Sequence, residues 1–153
     1  MKIKKSVTLI FLAVFGMLAL SGCQKNEKAE LETGSKKIGY IRNFDSENKS
    51  FKFDEIEWIT LEDTEKIKEL NINPDRDMPN GFYINNAEPD TENYKVTDKT
   101  EYQIIDWDNS GEAAAVDLNG FTDHLNGYTD YTPLFWIDID DNTALSITEQ
   151  YVP

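Results

Sequence analysis

Apolar and polar residues alternate in short runs along residues 38–153, with the period of two that turns one side of a strand toward a core. Ile38-Gly39-Tyr40-Ile41 opens the first run, the polar segment Asp45 to Ser50 turns the chain, and Phe51-Lys52-Phe53-Asp54 returns, which reads as a β-hairpin. The alternation then slips, because Phe51 and Phe53 are odd-numbered while Ile56 and Trp58 are even, and a bulge at Asp54-Glu55 is expected to restore one face. Thr60-Leu61-Glu62-Asp63 has the form of a capping box and predicts a helix from about Leu61 to Leu70, with Leu61, Ile67 and Leu70 on its apolar side. Two prolines and a glycine end it between Asn71 and Gly81. Phe82-Tyr83-Ile84 is a short strand, followed by a loop from Asn85 to Asn93. Tyr94 to Thr97 and Tyr102 to Ile105 predict a second hairpin around Asp98-Lys99. A weak helix, interrupted by Gly120, is expected from Ala113 to Leu125. Leu134 to Ile139 and Ala144 to Thr148 flank Asp140 to Thr143 as the last hairpin. The fold class is therefore mainly β with one or two short helices (α+β), as a small bent antiparallel sheet or an OB-like barrel, with a flat two-layer sheet as the alternative.

Ahead of this domain the pattern changes. Lys2, Lys4 and Lys5 precede an apolar stretch from Val7 to Leu20, broken only by Thr8 and Gly16, which is the form of a secretory signal segment. The stretch is shorter than the roughly 20 apolar residues a spanning helix needs. Leu20-Ser21-Gly22-Cys23 closes it, and these residues resemble a bacterial lipobox. The resemblance implies that the thiol of Cys23 takes a diacylglycerol and that cleavage leaves it as the first residue of the mature chain. Residues 1–22 are then a signal peptide, and residues 23–37 the lipidated cysteine and a polar, flexible tether. Residues 38–153 form one domain, anchored to the extracytoplasmic face of a cell membrane rather than spanning it. Cys23 is the only cysteine, so no disulfide is available to the domain.

The stretches Asp54-Glu55-Ile56-Glu57-Trp58, Pro79 to Ile84, Phe135-Trp136-Ile137 and Glu149-Gln150-Tyr151-Val152-Pro153 resemble a group of small lipoproteins and exported proteins of Gram-positive bacteria. That resemblance implies the location but brings no activity with it.

Charge narrows the partners. The whole chain has a formal net charge of −14. Without the three leader lysines, twelve basic residues face twenty-nine acidic ones, a balance of −17. Such a surface repels nucleic acid and anionic headgroups and favours cationic partners or divalent ions.

Three sets of residues carry candidate chemistry. Asp106, Asp108, Ser110, Glu112 and Asp117 place oxygen ligands at spacings that approximate a calcium loop, with Gly111 at its turn, so calcium is the ion this set would take. Asp117 is short for the bidentate role at the twelfth position, and an Asx-rich turn is the plainer reading. Glu57, Asp106 and Asp138 are the carboxylates from which a cell-wall hydrolase would draw its acid and base. Trp107, Tyr128 and Tyr131 are aromatics in turn-like sequence, where a protein, glycan or cationic partner would meet them. His124 is the only histidine, which removes two-histidine metal sites. No phosphate loop, dinucleotide fingerprint or nucleophile elbow occurs. A membrane-anchored binding module is the leading expectation; a carboxylate-dependent hydrolase and a calcium-dependent domain are the alternatives.

Overall fold

The computed structural model describes residues 34–153, apart from Glu88 and Ser110. The leader, Cys23 and the tether as far as residue 33 lie outside the described residues.

Strands β1 (Ser35–Asp45) and β2 (Ser50–Glu55) form the expected first hairpin, Asp45 facing Ser50. β1 begins at Ser35, so Ser35 to Lys37, assigned above to the tether, belong to the sheet. Lys37 is fixed there by Glu55 (2.8 Å) and Glu92 (2.9 Å).

The slip after Phe53 is resolved by a change of sheet and not by a bulge. β2 stops at Glu55, the Ile56 amide donates to the Ile38 carbonyl (3.0 Å), and β3 (Glu57–Thr60) pairs with β4 (Phe82–Asn85) as a separate two-stranded sheet. Gly39 permits the crossover, because a Cβ at that position would lie 2.2 Å from the Asp54 carbonyl oxygen. The irregularity in register sits across the hairpin instead, between Arg42 and Asp45, where Asn43 has a φ of 48°.

Thr60 and Asp63 meet as half of the expected capping box: Asp63 reaches back to accept from the Thr60 amide (2.7 Å), while the Thr60 hydroxyl donates to the same carboxylate (2.8 Å). Helix α1 (Thr64–Glu69) starts only beyond them, and Leu61 stays exposed. A further short helix, α2 (Pro74–Asp77), lies in the stretch read as irregular, with Asn73 accepting from the Asp75 amide at its start.

Strands β5 (Thr91–Lys95) and β6 (Glu101–Asp106) do not pair with each other as expected. β5 pairs with β2, β6 with β7 (Glu112–Val116), and both lie parallel to the last strand, β9 (Thr143–Gln150). Thr100 sets this jog: its hydroxyl accepts from the Thr97 amide and donates to the Ala144 carbonyl, each at 2.8 Å, so the chain steps aside and continues in the same direction. Residues 113–116, read above as helical, are therefore β7, and the helix α3 (Leu118–Gly127) follows it. β8 (Leu134–Asp140) and β9 form the last hairpin on Asp141-Asn142, both at positive φ (42° and 64°), the two-residue turn that matches strand twist.

The main sheet runs β5-β2-β1-β8-β9-β6-β7, and β5 meets β9 again through the single pair Lys95 and Thr143. The fold is thus mainly β, 47% strand and 19% helix, as a seven-stranded bent sheet that curls back on itself without becoming a closed barrel, plus the two-stranded sheet. Its pairings are antiparallel except those that β5 and β6 make with β9.

Strand alternation divides the core. Phe51, Phe53, Phe135, Ile137 and Ile147 point to the concave side with Phe121 of α3, while Ile38, Ile56 and Leu134 form a smaller cluster on the other side with Trp58, Ile84 and Trp136. Burying side chains of this size contributes about 1.5–3 kcal/mol each before conformational entropy is counted. Among the described residues no helix is long and apolar enough to cross a membrane.

Candidate functional site

α3 brings the site together. Asp117 caps its start by accepting from the Gly120 amide (2.8 Å), and Leu118, Phe121 and Leu125 recur at helical spacing to seat it on the concave core. The next residue of that stripe is Tyr128, at the end of the helix, and His124 is one turn before it. Both side chains are carried toward β9, where Glu149 faces inward with only 8% of its surface exposed.

A buried carboxylate has to be saturated with donors, and Glu149 is. One oxygen accepts from the Ile105 backbone amide (2.7 Å) and meets His124 Nε2 (2.7 Å); the other accepts from the Tyr128 hydroxyl (2.7 Å). The Tyr128 oxygen in turn accepts from the indole N–H of Trp107 (3.2 Å). Burial pushes the Tyr128 phenol up to about 12; the neighbouring Glu149 carboxylate adds to the rise and the Trp107 N–H opposes it. Burial also raises Tyr131, with the charge of Glu149 acting in the same direction.

This network holds an aromatic row at the surface. Tyr151 lies against Trp107 (ring centroids 5.7 Å apart), Trp107 donates to Tyr128, and Tyr128 meets Tyr131 edge to face (5.7 Å). Trp107, Tyr131 and Tyr151 are 54%, 45% and 49% exposed. Beside the row, Tyr128 and Tyr131 join Asn43, Phe44, Asn126 and Pro133 around a cleft of about 320 Å³. The three aromatics singled out from sequence, Trp107, Tyr128 and Tyr131, are therefore brought together. Glu149, His124 and Tyr151 were missed as parts of the same site; the signal for Glu149 was an acid two residues after Ile147, on the inward face of a strand.

The other candidate residues are placed differently. Asp106 ends β6 opposite Glu112 at the start of β7, and its carboxylate accepts from the amides of Asp108 (3.1 Å) and Asn109 (3.2 Å) in a turn that Gly111 closes at φ 72°. This is the Asx-rich turn. Asp117 sits past the far end of β7, about 16 Å along the strand from Glu112. The fold thus separates Asp117 from Asp106, Asp108 and Glu112, while Ser110 lies outside the described residues. Among the described residues no group of three or more His, Cys, Asp or Glu side chains is gathered as a metal would need.

The three carboxylates of the hydrolase alternative are dispersed and engaged. Glu57 on β3 accepts from Asn85 (2.6 Å) and pairs with Lys66 (3.0 Å), Asp106 closes its turn, and Asp138 on β8 accepts from Ser146 (2.6 Å). Asp138 also borders an open groove of about 780 Å³ with Lys36, Lys99 and Glu101, where charges of both signs balance. Comparison of the chain with protein-family models, curated proteins and solved structures returns no match.

Proposed function

We propose that this protein is a lipoprotein held at the extracytoplasmic face of a cell membrane through a diacylated Cys23, and that its domain is a binding module whose contact surface is the row Tyr151, Trp107, Tyr128 and Tyr131. Two acyl chains bury enough methylene groups, at about 0.8 kcal/mol each, to hold a domain of this size durably on a bilayer. The observation that supports the binding role is the support beneath the row. A buried carboxylate bonds a half-buried imidazole and the half-buried Tyr128 phenol, Tyr128 bonds Trp107, and the Trp107, Tyr131 and Tyr151 rings of the row stand exposed. Large rigid aromatics held this way give contact area at little entropic cost, which is how interface hot spots are built.

Isolation of native membrane complexes through the full-length protein tests the proposal. A partner enriched with wild type should be lost when Trp107→Ala and Tyr131→Ala are combined, with Cys23 processing unchanged. Recovery of the same set of proteins with both forms would contradict it.

A further inference from the structure

The charge around the aromatic row is one-sided. Beyond Lys99 the chain has no lysine or arginine, against eleven aspartates and glutamates, and this stretch supplies all four rings of the row. Asp108 follows Trp107 and Asp130 precedes Tyr131 in the chain, and both are exposed. Three of the domain's cations are engaged with other rings: Lys36 lies over Trp136, Lys37 over Tyr94 and Arg42 over Tyr40. Among the described residues none of the four rings of the row has a cation over it. Exposed aromatic faces next to uncompensated carboxylates are what a lysine or arginine side chain binds, by the ring quadrupole and by charge together.

We infer that the row Tyr151, Trp107, Tyr128 and Tyr131 is the docking surface for an extended, lysine- or arginine-bearing segment of a partner polypeptide. The inference rests on the binding-module reading above and gives that module's partner its chemistry. Spacing favours a polypeptide over a single small cation. Alternate side chains of an extended segment are about 6.6 Å apart and point the same way, close to the 5.7 Å between ring centroids at each end of the row. Two successive cationic side chains therefore reach two neighbouring rings of the row, whereas a small cation would use only one.

The test uses the full-length chain in neutral detergent and three probes: a fluorescent nine-residue peptide of alternating lysine and serine, its glutamate counterpart, and an uncharged chitin tetrasaccharide. The lysine peptide should bind and weaken as salt rises, while the glutamate peptide should not bind. Trp107→Ala and Tyr131→Ala should each weaken binding by about fivefold or more. Asp108→Asn with Asp130→Asn should weaken it further than Glu62→Gln with Glu65→Gln, which removes the same charge from the region of α1. Equal effects of the two charge pairs, with no effect of the aromatic substitutions, would reduce the binding to general attraction by net charge and overturn the inference. Saccharide binding lost in Trp107→Ala, without peptide binding, would overturn the cationic partner while leaving the binding module standing. Absence of peptide binding in every form overturns the inference as well.

Discussion

Two tyrosine hydroxyls of this domain meet opposite circumstances. Tyr102 is buried to 5% exposure and its hydroxyl has no hydrogen-bond partner among the described residues, whereas the Tyr128 hydroxyl donates to Glu149 and accepts from Trp107. An unmade hydrogen bond in the interior costs more than a made one returns. Tyr102→Phe is therefore expected to leave stability unchanged or raise it by up to about 1 kcal/mol, while Glu149→Gln, which turns amide protons toward donors, should lower it by about 2–3 kcal/mol. Urea unfolding of the two variants checks this, and a Tyr102→Phe loss larger than that of Glu149→Gln would count against the network. The same two phenols also answer to pH. Burial raises both to about 12, so each holds its proton more tightly folded than unfolded. Their stabilising contribution is complete below the ordinary value of 10.0 and is lost as pH rises through about 12. Tyrosinate absorbance should show one fewer late-titrating tyrosine in Tyr128→Phe than in wild type; an unaltered late step in that variant would contradict the assignment.

At the scale of elements, local pattern carried further than pairing did. The first and last hairpins were legible because a polar turn separates two alternating runs, and in the last the Asp-Asn pair suits positive φ. The partners of β5 and β6 were not legible, since alternation marks a strand and says nothing about which strand lies beside it. A threonine hydroxyl bonded to β9 decided that point. In the same way Thr60 and Asp63 were correctly read as interacting, yet the helix begins later because the interaction satisfies the threonine and not the helix. The aromatic candidates were visible because they fell in turns. Glu149 was hidden because an acid on a terminal strand reads as surface until the helix that covers it is in place. The hairpin β6 and β7 bears on calcium. With Asp117 capping α3 and removed from the turn, its replacement by alanine should cost about 1 kcal/mol as a lost cap. Calcium and magnesium should raise the melting temperature alike, in wild type and in Asp106→Ala combined with Asp108→Ala. A calcium-selective rise that the double variant loses would restore the metal loop.

For the whole molecule, two ends of the chain are put to separate uses. Under the proposed function, the leader and Cys23 would give an address, through a motif read from residues alone. The last third gives a surface, formed only when α3 and β9 place Tyr128 over Glu149. The concentration of acids without a basic residue beyond Lys99 was present in the sequence all along, but it acquires a direction only once the four rings are seen together. The proposed anchor would give that surface its setting, because an acidic domain tethered above an anionic membrane is pushed outward. The most direct measurement is metabolic labelling with an alkyne fatty acid in a Gram-positive host, combined with protease added to intact cells. Wild type should carry the label and lose its domain to the protease, while Cys23→Ser should carry no label and remain as unprocessed precursor. Label persisting in Cys23→Ser, or a wild-type domain protected from external protease, would contradict an anchored extracytoplasmic module.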